Sequence, residues 1–127
     1  MGEALKVEEE MGAALYEATQ DRLGALGLPA YEISNHARPG AESRHNLAYW
    51  RYQDYVGIGP GAHGRETRKG QKIATVRHRL PERWLTGVET EGQALAETER
   101  LDAERQYREI LLMGLRLAEG VPEDRLK

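Results

Sequence analysis

The sequence predicts an α/β fold, and three observations support this class. Helical patterns lie at both ends of the 127-residue chain, and two short strand-like runs, 30–34 and 52–58, lie between them. A glycine-rich stretch follows the second run, which is where α/β proteins place ligand-binding turns. The first half is therefore expected to be a piece of a parallel α/β array, and the second half the start of a helical unit.

The first helix is predicted over 7–26 because apolar residues recur there at helical spacing, namely Met11, Ala14, Leu15, Ala18, Ala25 and Leu26. Gly27 and Pro29 then provide a stop signal. Between the two strand-like runs lies a loop of about fifteen residues, a length that is usually either functional or disordered. Its tyrosines and tryptophan argue against disorder.

In the second half, the Lys/Arg-rich stretch after Gly64 is predicted to be a loop or an edge hairpin, with 72–76 as its strand-like part. A short helix should begin at Pro81, because proline fits the first helical position. A longer helix is expected from about Thr98 or Asp102 to Ala118, ended by Gly120 and Pro122. One face of it would consist of Tyr107, Ile110, Leu111, Gly114 and Ala118.

The composition limits both the core and the chemistry. A mean hydropathy of -0.71, 31% charged residues and no phenylalanine indicate a thin core and an incomplete domain. No run is long enough to span a membrane and the start is acidic, so a cytoplasmic location is expected. Without cysteine, the chain cannot form a disulfide, a thiolate zinc site or a cysteine-ligated iron–sulfur cluster.

Histidines and glycines between 31 and 64 are the first candidates for chemistry. His36, His45 and His63 could meet around a metal, but no H-E-x-x-H motif or cysteine partner supports this, and a structural role is favoured for each. The glycines of 57–64 fit neither a dinucleotide fingerprint nor a phosphate loop. Taken alone, that stretch is best interpreted as a tight turn after a strand.

His45 differs from the other histidines because two aromatic residues, Tyr49 and Trp50, follow it closely. An imidazole beside flat aromatic faces suits a haem or porphyrin, although the two rings could instead fill the core. Glu32, inside a strand-like run, needs a partner or an exposed position. Arg38 and Arg44 could pair with porphyrin carboxylates, whereas a surface salt bridge is favoured for Arg51.

A basic segment over 63–83 raises a different possibility, nucleic-acid binding. It contains seven cationic side chains: Arg65, Arg68, Lys69, Lys72, Arg77, Arg79 and Arg83. Only Trp84 lies nearby as a stacking residue, and no RNA-binding module is recognisable. A solvated loop is favoured, and nucleic acid is considered an unlikely partner.

Three motifs taken together resemble a known family: 31–40 (YEISNHARPG), 44–51 (RHNLAYWR) and 55–63 (YVGIGPGAH). They are similar to radical S-adenosylmethionine proteins of the oxygen-independent coproporphyrinogen III oxidase type, and more narrowly to the haem-chaperone branch of that family. The run 113–121 also looks like the first helix of the family's C-terminal domain. His36 and Gly64 depart from the family pattern, where an aromatic residue and a serine are common.

The resemblance implies a fragment of a partial (βα)6 barrel followed by the first helices of a mostly helical C-terminal domain. Residues 1–80 would be the C-terminal part of the barrel, and residues 81–127 a linker helix and the start of a truncated C-terminal domain. Full-length relatives would bind S-adenosylmethionine and a [4Fe-4S] cluster. The family's C-x-x-x-C-x-x-C motif is missing from this chain, which is therefore expected to be inactive in radical chemistry by itself.

The resemblance also implies site residues. Haem would be contacted by His45, Asn46, Tyr49 and Trp50, with His45 as the iron ligand. The adenine of S-adenosylmethionine would lie near Gly59, Gly61 and Ala62, with the backbone of Ala62 as a contact. The function implied is a haem chaperone in full-length form; the alternatives are the oxidase, which decarboxylates a porphyrinogen, a basic RNA-binding module, or an inactive chain that self-associates through an exposed barrel edge.

Overall fold

The fold mixes helices and antiparallel strands, as seen in a computed structural model that describes residues 9–126. In chain order the elements are α1 (Glu9–Ala25), α2 (Arg44–Trp50), β1 (His63–Arg68), β2 (Gln71–Arg77), α3 (Pro81–Glu91), β3 (Leu95–Arg100), α4 (Ala103–Gly114) and a 3-10 turn (Glu123–Arg125). The α/β class is therefore confirmed at this coarse level.

The sheet is an antiparallel meander in the order β1-β2-β3. Gly64 lies opposite Thr75 in the first pair, and Lys69 and Gly70 form the connecting turn with positive φ angles of 51° and 76°. The basic segment thus forms the edge hairpin that was one of its two predicted structures. A register shift between Val76 and Arg77 bends β2 where it meets β3.

The strands predicted over 30–34 and 52–58 are wrong. These runs make only single antiparallel backbone pairs, Ala30 with His36, Glu32 with Leu117, and Tyr55 with Arg65. The first run fails because the chain turns back on itself, with the Tyr31 N–H bonded to the Asn35 carbonyl at 3.0 Å. All strand pairs among residues 9–126 are antiparallel, so the expected parallel array is not found there.

The helices follow the sequence prediction more closely. The helix α1 matches the predicted one, whose proposed first residues, 7 and 8, lie outside the described residues. The helix α3 begins at Pro81 as expected. Asp102 caps α4 by accepting a hydrogen bond from the Arg105 N–H at 2.8 Å, so the second of the two predicted starts is correct. Thr98 lies in β3 instead, and α4 ends before Ala118.

The core is small, in agreement with the composition. Its buried apolar side chains are Tyr52, Ile73, Ala74, Ala94, Leu101 and Leu117. The predicted apolar face of α1 is largely uncovered, with Met11, Leu15 and Leu26 each more than half exposed. The partial barrel and the domain boundary after residue 80 stay predictions.

Candidate functional site

The helix α2 carries all four residues of the haem-contact motif, although the sequence predicted a loop there. Ser43 caps the helix by accepting a hydrogen bond from the Asn46 N–H at 3.3 Å. Residues four positions apart lie on one side of a helix, so His45 lies beside Tyr49, and Asn46 beside Trp50. The motif therefore presents two pairs of side chains on adjacent sides of α2.

These two pairs have different surroundings. The His45 side chain is exposed, whereas the other three residues are half-buried. Asn46 donates a hydrogen bond from Nδ2 to the Tyr31 hydroxyl at 3.2 Å. Trp50 lies under the guanidinium of Arg116, whose Cζ is 4.3 Å from the ring centroid. The side with Asn46 and Trp50 is therefore attached to the rest of the fold, and His45 faces solvent.

Aromatic rings extend from α2 toward β1. The rings of Tyr49 and Trp50 meet edge to face with centroids 4.9 Å apart, and Tyr49 is 5.3 Å from Tyr55. The backbone of Tyr55 pairs with Arg65 in β1, with its N–H 2.7 Å from the Arg65 carbonyl. Burial raises the pKa of Tyr55, so its phenol stays protonated. The rings form an aromatic cluster whose planes are tilted to one another by 57° to 74°, and its member Tyr49 lies on the His45 side of α2.

Glu32 has the partner that its position required. Its side chain is fully buried; Oε1 accepts hydrogen bonds from Ser34 and Asn35, and Oε2 accepts one from Arg116 at 3.1 Å. Burial alone would raise the pKa of Glu32, but these hydrogen bonds together lower it. Both carboxylate oxygens of Glu32 thus accept hydrogen bonds from within the fold.

Sequence reasoning missed Arg116, which links Glu32 to the indole of Trp50. It follows the end of α4 and is 84 residues from Glu32 in the chain. The one available signal was the acid inside a strand-like run, which predicted a partner without identifying it. In sequence, Arg116 is one arginine among many.

A second buried ionic group lies where α4 meets the sheet. Glu109 accepts two hydrogen bonds from Arg65, at 2.9 and 3.0 Å, and one from the Tyr52 hydroxyl at 2.7 Å. Burial would raise the pKa of Glu109, yet the bonds from Arg65 and Tyr52 lower it overall. Burial and then the hydrogen bond to this carboxylate raise the pKa of Tyr52 well above its ordinary value.

The basic segment uses several of its charges within the fold. Lys72 is buried and donates to Asp54 at 2.6 Å while lying 4.6 Å from the centroid of the Tyr52 ring. Arg68 pairs with Glu66 at 2.8 Å. Arg77 donates from Nε to the Gly57 carbonyl at 3.1 Å. These partners give the cations a structural role that needs no nucleic acid.

Arg51, at the end of α2, forms the surface salt bridge that was favoured for it. Its Nε and Nη2 each lie 2.7 Å from the carboxylate of Glu119. Both side chains are more than one third exposed. The prediction for this residue is therefore confirmed, and the bridge joins the end of α2 to the segment after α4.

The glycine turn before β1 adopts the conformations that its sequence suggested. Gly59 and Gly61 have φ angles of 100° and 71°, which L-amino acids with a side chain rarely adopt. The Ala62 N–H is 3.3 Å from the Gly59 carbonyl, and the Ala62 carbonyl accepts a bond from the Arg77 N–H at 2.9 Å. The backbone of Ala62 is thus already used within the turn.

An open cavity of about 220 Å³ lies against this turn. It is lined by Gly57, Gly59, Arg77, Trp84 and Val88, among others. An indole and an arginine beside the backbone turn have the right chemistry for a planar, polar ligand. The predicted S-adenosylmethionine contacts stay a prediction, and the chain has no cysteine with which to ligate a [4Fe-4S] cluster.

The three-histidine metal site has no support in the described residues. No group of three or more His, Asp or Glu side chains that could bind a metal ion occurs among residues 9–126. His36 instead lies 3.1 Å from Gln20 Oε1 through its Nε2, which links it to α1. The role of His45 as an iron ligand of haem stays a prediction from the sequence motif.

Comparison with known proteins gives relatives that match most of the chain. It is 37% identical over 117 residues to radical S-adenosyl methionine domain-containing protein 1, mitochondrial, of Danio rerio, covering 89% of this chain and 26% of the relative. The heme chaperone HemW of Mycobacterium tuberculosis is 37% identical, covering 98% and 31%. HemW of Bacillus subtilis is 34% identical, covering 92% and 30%. No family model and no solved structure matches the chain.

These relatives define the class of protein: the chain is part of a radical S-adenosylmethionine protein. The chain belongs to the radical S-adenosylmethionine family that contains the HemW haem chaperones. It spans between a quarter and a third of the length of these curated relatives. Among residues 9–126, no helix combines the length and apolar character needed to cross a membrane.

Proposed function

We propose that this chain is part of a longer haem chaperone and that α2 is its haem-contact element. The observation that supports this most directly is the exposure of His45 on a helix whose other motif residues are half-buried. Imidazole is a common axial ligand of haem iron, and aromatic faces pack well on a macrocycle. The exposed Arg44 and Arg38 would pair with haem propionates.

In this proposal the four motif residues have different roles. His45 ligates the iron, and Tyr49 supplies an aromatic face on the same side of α2. Asn46 and Trp50 act indirectly, because their side chains attach the helix to Tyr31 and Arg116. Bound haem would supply the iron and the porphyrin that the protein transfers, and the chain's own residues bind and orient it.

Of the two cofactors of the family, this chain has residues to contact S-adenosylmethionine but no ligands for the [4Fe-4S] cluster. S-adenosylmethionine would bind against Gly59, which lines the cavity beside the turn, whereas the predicted contacts Gly61 and Ala62 do not line that cavity. The [4Fe-4S] cluster does not fit this chain, since cysteine is absent, and its ligands would have to come from elsewhere. No step of radical chemistry is assigned to these residues. A cytoplasmic location also stays a proposal, and a curated fish relative is named as mitochondrial.

The experiment is a titration of the 127-residue chain with haemin, followed by the Soret absorbance. The wild-type chain should shift the Soret band, and His45→Ala should lose the shift because the axial nitrogen is gone. His78→Ala is the matched control, since His78 lies between β2 and α3, away from α2. Equal spectra for wild type and His45→Ala would contradict the proposal.

Two of the three alternatives can be compared with observations on this chain. A porphyrinogen oxidase is not favoured, because the relatives cited above are named as chaperones or by their domain. An RNA-binding module would need free cations, whereas Arg65 and Lys72 are buried in ion pairs. Neither alternative is therefore favoured by an observation on this chain.

A further inference from the structure

We propose that Arg116 is a positioning residue for α2, acting on the haem-contact side chains through the indole of Trp50. This inference rests on the proposed function of α2. Arg116 is not among the motif residues and lies outside α2, in the segment that follows α4. Its role would be to fix the direction in which His45 and Tyr49 are presented.

The backbone of Arg116 is held by contacts that do not involve Trp50. Its carbonyl accepts a hydrogen bond from the Ile33 N–H at 3.1 Å, and the Ala118 N–H donates to the Tyr31 carbonyl at 3.0 Å. The segment 116–118 is thus paired in antiparallel fashion with 31–33, centred on Glu32 and Leu117. This pairing fixes the Arg116 backbone relative to Glu32.

The Glu32 carboxylate then fixes the guanidinium. Ser34 and Asn35 occupy Oε1, which leaves Oε2 for Nη2 of Arg116 at 3.1 Å. With Nη2 bound at one edge, the planar group lies over the Trp50 ring, its Cζ 4.3 Å from the centroid. Nε of Arg116 and Nε1 of Trp50 are buried and have no hydrogen-bond partner among the described residues. The contact between the guanidinium and the face of the indole is therefore the observed link between these two side chains.

Fixing Trp50 fixes the end of a very short helix. The helix α2 has seven residues, and Trp50 is the last of them. Asn46, on the same side, is bonded to Tyr31, which neighbours Glu32 in the chain. Both of these contacts thus connect α2 to the paired segments 31–33 and 116–118. The Tyr49 ring, packed against Trp50 at 4.9 Å, is oriented by the same contact.

Arg116→Met tests this inference because it keeps the aliphatic stem and removes the charged plane. Haemin affinity should fall roughly tenfold, the size expected when support behind a metal ligand is lost, with an altered Soret band. Arg116→Lys should restore the affinity only in part, because an ammonium keeps the charge over the indole but lacks the guanidinium plane. Arg108→Met is the matched control on α4; Arg108 is exposed and pairs with Glu104.

A second measurement, tryptophan fluorescence, reports directly on the surroundings of Trp50. In a Trp84→Phe background Trp50 is the only tryptophan of the chain, and its emission should change in Arg116→Met but not in Arg108→Met. An unchanged emission would overturn the positioning role even if His45 proved not to bind haem. Loss of binding in His45→Ala together with wild-type binding in Arg116→Met would overturn it while leaving the proposed function intact.

If Arg116→Met does not fold, the variant Glu32→Gln tests the positioning role of Arg116 instead. Glu32→Gln keeps the shape of the side chain and removes the charge that holds the guanidinium. It should weaken haemin binding, though by less than Arg116→Met does. It should also change the emission of Trp50 in the Trp84→Phe background. Wild-type behaviour of Glu32→Gln in both measurements would contradict the inference.

Discussion

Glu109 shows how single buried charges join the parts of this small protein. The side chains of Glu109 and Arg65 are 14% and 16% exposed, and Tyr52 completes the group from the loop after α2. Charges that are removed from water need hydrogen-bonded partners such as these, because an unpaired buried charge costs several kcal/mol. Three separate parts of the chain, α4, β1 and the loop after α2, are therefore linked at one carboxylate.

Glu109→Gln should lower the free energy of unfolding by about 2 kcal/mol at neutral pH, because it leaves the partly buried Arg65 without a full counter-charge. Urea denaturation measures this loss. Glu104→Gln is the control, since Glu104 and Arg108 are 75% and 71% exposed and such pairs contribute less than about 1 kcal/mol. Equal effects of the two substitutions would show that the buried group is not a stabilising link.

The same group predicts a pH dependence. The pKa of Glu109 in the folded chain lies below its ordinary value of 4.5, so near that pH the unfolded chain binds more protons. The stabilisation is therefore present above pH 4.5 and is lost as the pH falls through the folded-state pKa. Glu32 and Asp54, with lowered pKa values, contribute in the same direction.

Stability should thus fall less steeply below pH 4.5 in Glu109→Gln than in the wild type. Denaturation curves collected between neutral pH and the acid limit give the two slopes. Parallel slopes would mean that Glu109 does not titrate at a lowered pKa.

At the scale of elements, the sequence predicted α1, α3 and α4 but missed the short helix α2 and the strand β3. The caps and stops of α1, α3 and α4 are local signals, so a single sequence contains them. In contrast, β3 begins with Leu95 and continues with exposed, mostly polar residues, and backbone pairing with β2 alone makes it a strand. Such pairing cannot be recognised from periodicity.

The candidate site shows the same contrast between residues that local signals predict and residues that only the folded chain brings together. The residues of the haem-contact motif are consecutive enough for the sequence to group them, and the Ser43 cap was an available signal that they form a helix. Their supporting partner Arg116 is 66 positions from Trp50, brought close by the pairing of 31–33 with 116–118. Contacts of that separation depend on the whole fold, so sequence reasoning could not find them.

The hairpin of β1 and β2 depends on close approach at Gly64. A Cβ added there would lie 2.5 Å from Oγ1 of the buried Thr75, directly opposite in the register. Gly64→Ala should therefore destabilise the chain by about 1–3 kcal/mol through overpacking. Gly12→Ala is the control: an added Cβ meets nothing within 4 Å in α1, and alanine should stabilise the helix by about 0.5–1 kcal/mol.

Thermal unfolding followed by circular dichroism would measure both glycine variants. Opposite shifts of the midpoint are expected. A Gly64→Ala protein as stable as the wild type would mean that the strands can separate enough to admit a methyl group, and that the register of Gly64 with Thr75 is not tightly fixed.

At the scale of the whole molecule, apolar burial is concentrated around the sheet. Leu101, between β3 and α4, is 1% exposed and the largest fully buried side chain of the described residues. The helices keep much of their apolar surface in water, with Met11 and Leu15 of α1 and Leu112 of α4 more than half exposed. A protein of this size has a free energy of unfolding of only about 5–15 kcal/mol. Loss of one core side chain should therefore remove a large fraction of this stability.

Leu101→Ala should reduce the free energy of unfolding by about 3–5 kcal/mol, the cost of a large cavity that cannot collapse. Leu112→Ala removes the same atoms from a side chain that is 73% exposed and should change it by less than about 0.5 kcal/mol. Urea denaturation at two protein concentrations measures both variants. Equal losses that grow with protein concentration would contradict this picture, because they would show that the exposed helix faces stabilise the chain by pairing with other copies.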